Sequence, residues 1–129
     1  RDPSFNLSFL VRKEPEQAMK FLSSLPGVGE KTAACVLLFS FSLPVMPVDT
    51  HIFRIGRRTG IIPEKAGLKK AHKIFSEIIP AKYRDVLDLH VNLISHGREV
   101  CKAVNASCPK CVIRQLCDYY NKLKQDAAL

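Results

Sequence analysis

No apolar run in the sequence approaches the ~18 residues that a membrane span requires; the longest, Ala33 to Phe39, fits one buried helical segment. No charged-then-apolar leader follows Arg1, so there is no secretion signal to read. The start at Arg1 rather than Met leads us to expect part of a longer protein. Internal repeats and low-complexity tracts are missing, and no stretch alternates with the period of a strand, which leaves all-α as the fold class. Acidic residues are scarce: 12 Asp and Glu stand against 20 Lys and Arg, a net charge of +8. An excess of that size in a small domain fits an anionic partner, nucleic acid first.

What is present is a chain of 129 residues, enough for one domain with a single core. It is 47% hydrophobic and 25% charged, a globular balance. Of its five cysteines, four fall between Cys101 and Cys117, while Cys35 stands alone in an apolar run and reads as packed core. An odd count with one tight cluster argues for metal ligation in a reducing compartment, not for a disulfide framework. In a prokaryote that compartment would be the cytoplasm and nucleoid.

Proline and glycine divide the chain into helices. Pro15 suits a first helical turn, and Ala18, Phe21, Leu22 and Leu25 mark one apolar face. Pro26-Gly27-Val28-Gly29 breaks that helix, and a second is expected from Glu30 to Phe41. Pro44 and Pro47 keep the next stretch extended. Asp49 stands where an N-cap belongs, before a helix that Gly60 ends. Further helices are expected over Glu64 to Ile79, with Leu68, Ala71, Ile74, Phe75 and Ile78 on the core side, and over Tyr83 to His96, ended by Gly97.

The strongest local pattern is the break between the first two helices. Gly27 and Gly29 permit a tight hairpin whose N–H groups, with Val28 between them, can face one phosphate without reading sequence. An ordinary turn between helices uses the same residues. A nucleotide-binding P-loop does not fit, because Glu30 separates Gly29 from Lys31 and a helix precedes the loop. The other pattern is Cys101-x6-Cys108-x2-Cys111-x5-Cys117. Four thiolates can hold zinc or an iron–sulfur cluster, although zinc sites usually use two short cysteine pairs and only one is present. Lys102, Lys110 and Arg114 lie among these cysteines, available to DNA phosphate or simply solvated.

Taken in order, Leu25-Pro26-Gly27-Val28-Gly29-Glu30-Lys31-Thr32-Ala33, Val48-Asp49-Thr50-His51-Ile52-Phe53-Arg54 and His96-Gly97-Arg98 leading into the cysteines resemble the endonuclease III family of DNA glycosylases. The resemblance implies a helix–hairpin–helix fold missing helices at its N-terminal side. It divides the chain into a partial helical barrel with the hairpin over 1–97, whose last helix packs in the cluster lobe. An iron–sulfur loop over 98–120 and a tail over 121–129 follow. It implies Lys31 as nucleophile, Asp49 as catalytic carboxylate and a [4Fe–4S] cofactor on Cys101, Cys108, Cys111 and Cys117. DNA contacts are expected at Gly27, Val28, Gly29, Lys102, Lys110 and Arg114. With the cluster bound the net charge would fall to about +6, still basic.

The chemistry is coherent. Cleaving an N-glycosidic bond through an imine needs an unprotonated amine, and both burial and a helix N-terminus disfavour the ammonium form. Lys31, in the first turn of a buried helix, is expected to receive both influences. A nearby carboxylate can take the proton and stabilise the cationic sugar. Related adenine glycosylases lack a lysine at the position of Lys31, so its presence favours a combined glycosylase and abasic-site lyase. The expected partner is double-stranded DNA with damaged or abasic sites, met by a monomer with no membrane role; oxidised pyrimidine is the default substrate. Three alternatives stay open: a non-catalytic DNA-binding module, a monofunctional mismatch glycosylase acting on thymine or uracil, and an iron–sulfur electron carrier. Arg54, Arg57 and Arg58, then Lys65, Lys69, Lys70 and Lys73, are read as phosphate contacts or a wet helix face. His51 and His90 are read as structural. With the upstream helices missing, apolar faces of the Lys31 helix are expected to be exposed.

Overall fold

A fixed φ and a missing N–H suit proline to the first turn of a helix, and Pro15 opens α1 (Pro15–Ser23) in this computed structural model, which describes residues 6–127. Arg1 and the last two residues of the expected tail lie outside the described residues. A short 3₁₀ turn, Ser8–Arg12, precedes α1 and buries Leu10. The second helix differs from expectation. α2 spans only Glu30–Cys35 and passes into a π turn, Val36–Ser40, closed by the Leu43 N–H donating to the Leu37 carbonyl at 2.9 Å. Apolar periodicity cannot show one wider turn here, because the segment is apolar on most sides and has no clear phase to shift. Leu10, Ala18, Leu22, Ala33 and Leu37 form one core cluster.

The second core cluster joins the extended segment to the later helices, through Leu38, Met46, Val48, Ile52, Ile62, Ala71, Phe75 and Val86. Asp49, in extended conformation, caps α3 (Thr50–Thr59), and Gly60, at φ +93°, ends it as expected. α4 spans Leu68–Ile78 and starts later than Glu64, because a turn closed from Ala66 N–H to the Pro63 carbonyl leads into the Gly67 cap. Leu68 and Ile78, expected in the core, are exposed at its two ends. α5 (Tyr83–Glu99) runs through Gly97, which was expected to stop it. Glycine stops a helix when it turns left-handed; Gly97 instead brings α5 against α3, where a Cβ would sit 2.8 Å from that of His51. The segment expected as a tail is largely helical, since α6 covers Asp118–Ala127.

Exposure of the Lys31 helix is less than expected. Ala33, Ala34, Leu37 and Leu38 are buried, and Phe39 is its large exposed apolar side chain, 55% accessible. No described helix is long and apolar enough to cross a membrane.

Candidate functional site

The hairpin between α1 and α2 is tight. The Leu25 carbonyl accepts from the Val28 N–H at 3.1 Å, Gly27 takes φ +80°, and Gly29 is the extended cap of α2. A Cβ on Gly27 or Gly29 would meet nothing within 4 Å, so both glycines face open space. Val28 is half-buried and packs on the first core cluster, which pins the hairpin to the body. The expected tight turn is present, but the Val28 N–H, expected to face a phosphate, is engaged within it.

Lys31 lies in the first turn of α2 and is exposed, so the burial expected around it is not supplied by these residues. Asp49 is half-buried and held: its Oδ1 accepts from the Ile52 N–H at 2.8 Å. One oxygen is thus engaged in capping, and the carboxylate has a fixed aim. The charges of both residues reach the same two groups. Burial pushes the Cys35 thiol up, with Lys31 pulling it down and Asp49 adding to the rise. Burial lowers the His90 imidazole, opposed by Asp49 and assisted by Lys31. Lys31 and Asp49 stand eighteen positions apart in the chain, Lys31 in the first turn of α2 and Asp49 at the cap of α3. Cys35, expected as packed core, is only half-buried beside them.

His72 was missed in the sequence. Its Nε2 accepts from the Val48 N–H at 3.1 Å, and its Nδ1 bonds the Leu68 carbonyl at 3.0 Å. A ring that accepts at one nitrogen and donates at the other is neutral in a fixed tautomer, and burial lowers its pKa accordingly. This bond anchors α4 to the residue immediately before Asp49. A histidine on the inner side of α4, between core positions, was the available signal.

Cys101, Cys108, Cys111 and Cys117 line one apolar cavity together with Tyr119 and Tyr120. Among the described residues no three His, Cys, Asp or Glu side chains converge tightly enough for a single ion. Four sulfurs around a shared cavity are a donor set suited to zinc or to an iron–sulfur cluster. Two 3₁₀ turns, Cys108–Lys110 and Arg114–Leu116, set three of the four cysteines at their edges. His96 Nε2 lies 3.6 Å from Cys111 Sγ, a neighbour the sequence reading assigned no chemistry.

The arginines of α3 make bonds within the chain that the sequence did not disclose. Arg54 donates from Nε to the Cys101 carbonyl at 3.0 Å and from Nη2 to the Gly97 carbonyl at 2.9 Å, with His51 Nδ1 also 3.0 Å from Nη2. Arg58 donates from Nη1 to Cys101 Sγ at 3.3 Å and the Lys102 carbonyl at 2.8 Å, and from Nη2 to the Ala103 carbonyl at 3.1 Å. Arg57 donates to the Glu64 carbonyl. All three guanidiniums are engaged inside the chain. Arg114 likewise donates to the Cys111 carbonyl at 2.8 Å, whereas Lys102 and Lys110 are exposed.

No protein-family model matches the chain. It is 38% identical over 117 residues to the endonuclease III of Sulfolobus acidocaldarius, covering 89% of this chain and 51% of that protein. It is 41% identical over 102 residues to the endonuclease III of Escherichia coli (strain K12), covering 79% and 47%. Among solved structures it resembles a trapped endonuclease III–DNA covalent intermediate in an estranged-adenine complex, with a TM-score of 0.72 and 32% identity, over 91% of this chain and 55% of the other. It also resembles a thermostable thymine-DNA glycosylase, at 0.69 and 26%, over 81% and 48%. The chain thus spans about half the length of the curated relatives it matches.

Proposed function

Because this chain belongs to the endonuclease III family of DNA glycosylases, we propose that it forms part of a base-excision repair enzyme that removes damaged bases and then cleaves the abasic strand. The observation that carries this reading is that Lys31 opens the helix directly after the hairpin while the Asp49 carboxylate is fixed at the cap of α3, in a chain of this family.

In this reading the Lys31 Nζ lone pair forms a bond to C1′ of the sugar while the glycosidic bond breaks and the base leaves with a proton. Asp49, with one oxygen fixed at the cap, accepts the amine's proton and faces the cationic sugar. Ring opening gives an imine; loss of the C2′ proton then expels the 3′-phosphate by β-elimination. The hairpin holds backbone phosphate with the N–H groups of Gly27 and Gly29, while the Val28 N–H closes the turn, and Lys102 and Lys110 extend the basic surface. Arg114, bonded within its own loop, steadies that surface. Cys101, Cys108, Cys111 and Cys117 would hold a [4Fe–4S] cluster, which supplies a rigid cross-link for the loop. The substrate class is damaged DNA, oxidised pyrimidine first; the likeness to a thymine-DNA glycosylase makes mismatched thymine the second candidate.

Borohydride trapping on an abasic duplex tests the assignment. The complete protein should give a covalent adduct that Lys31→Ala abolishes. Undiminished trapping in Lys31→Ala, or no adduct with the complete parent, removes Lys31 as nucleophile. Duplexes carrying an oxidised pyrimidine or a mismatched thymine separate the two substrates.

A further inference from the structure

Of the residues that reach the cysteine cavity from outside the loop, Arg58 engages it most fully, through both terminal nitrogens of its head group and its backbone carbonyl. Arg58 sits in the last turn of α3, 43 positions before Cys101. Its Nη1 donates to Cys101 Sγ at 3.3 Å and to the Lys102 carbonyl, and its Nη2 donates to the Ala103 carbonyl. The guanidinium carbon lies 4.6 Å from the centroid of Tyr119, which follows Cys117 by two positions. The Arg58 backbone carbonyl, in turn, lies 3.5 Å from Cys117 Sγ. One residue therefore touches the first and last cysteines and the chain beside each.

We propose that Arg58 is the positioning and charge-balancing residue of the thiolate site. It orders Cys101 for ligation and favours the more negative charge state of whatever metal group the four sulfurs hold. The inference rests on the cluster reading above. The physical argument is short. A thiolate that accepts an N–H from a cation donates less electron density to its metal, and a fixed positive charge stabilises the reduced, more negative state. Stacking on Tyr119 takes one face of the guanidinium out of water, so its field is less screened. Fork geometry is required, because a lysine ammonium is a point charge that cannot serve a sulfur and two carbonyls in one plane. Neighbouring cations do not share the role. Arg54 bonds the Cys101 carbonyl, not its sulfur, and Arg57 faces the Glu64 carbonyl.

The test is a redox titration of the complete protein purified with its metal group, parent against Arg58→Gln, Arg58→Lys and Arg57→Gln, with iron and sulfide assayed in each. A parent that contains no iron and sulfide defeats the cluster reading itself. With the cluster present, Arg58→Gln should shift the oxidised-to-reduced ratio at fixed potential at least tenfold toward oxidised, a midpoint more negative by about 59 mV for one electron. It should also release iron faster to a chelator. Arg58→Lys should recover the midpoint only in part, and Arg57→Gln should match the parent. An unchanged midpoint in a fully loaded Arg58→Gln overturns the inference. Where Arg58→Gln does not retain its metal, the Arg58→Lys midpoint decides, and equality with the parent overturns the inference there as well.

Discussion

At the scale of single residues, Asp49 has two separable jobs. As a cap it satisfies the Ile52 N–H; as an anion it is the carboxylate proposed to act with Lys31. Asparagine keeps the accepting oxygen and loses the charge, whereas alanine loses both. We expect Asp49→Asn to unfold in urea near the parent midpoint while turnover falls by about 100-fold to 10,000-fold. Asp49→Ala should lose similar activity and an additional ~1 kcal/mol of stability. Equal destabilisation by the two substitutions would show that the cap matters little. The cap was legible because an Asp before an apolar-periodic run has one common use. The arginines of α3 were not. Arg54 and Arg58 look the same in sequence whether they meet phosphate or the carbonyls of a loop more than 40 positions away. His72 was hidden similarly, since its partner Val48 is 24 positions off.

At the scale of elements, the junction between α3 and α6 is close. Gly60 takes a left-handed φ of +93°, and a Cβ there would collide with the Asp118 carboxylate at the start of α6. Gly60→Ala should therefore lower stability by about 1–2 kcal/mol, read as a reduced urea midpoint. Placing it in an Asp118→Ala background should restore the part due to crowding and leave the backbone part; no recovery would mean that the side chain simply moves aside. Gly60 as a stop was readable, because a glycine directly after a periodic run satisfies the left-handed position cheaply. Gly97 misled, because a glycine chosen for close packing against His51 has the same letter as one chosen for its φ. The π turn after Cys35 left no trace in the pattern of apolar residues. α6 was read as a tail because none of its residues is buried, so periodicity had little to register.

At the scale of the whole chain, two buried histidines, His72 and His90, tie stability to pH. Burial lowers both below the ordinary value of 6.5, so the unfolded chain binds their protons more readily than the folded one. Their contribution is complete above about pH 6.5 and is lost as the pH falls toward their folded values. Urea midpoints at pH 7.5, 6.5 and 5.5 should decline over the lower interval, and His72→Gln should flatten that decline. A midpoint unchanged down to pH 5.5 would show that neither ring has to remain neutral. The all-α class, the order of the motifs and the four sulfurs were all legible at this scale. The exposure of Lys31 was not, because burial is decided by side chains distant in sequence.

One rod connects what the sequence presents as two separate motifs. α3 begins at the Asp49 cap and reaches Arg58 about 13 Å further along, at 1.5 Å of rise per residue. Its far end is moored to the sulfur loop by guanidiniums, and a stiff helix cannot swivel at one end while its other end is fast. The loop is thus a mooring for the carboxylate's aim. Slackening it would produce a misdirected acid rather than a missing one, a defect visible in catalysis even with every reacting atom in place.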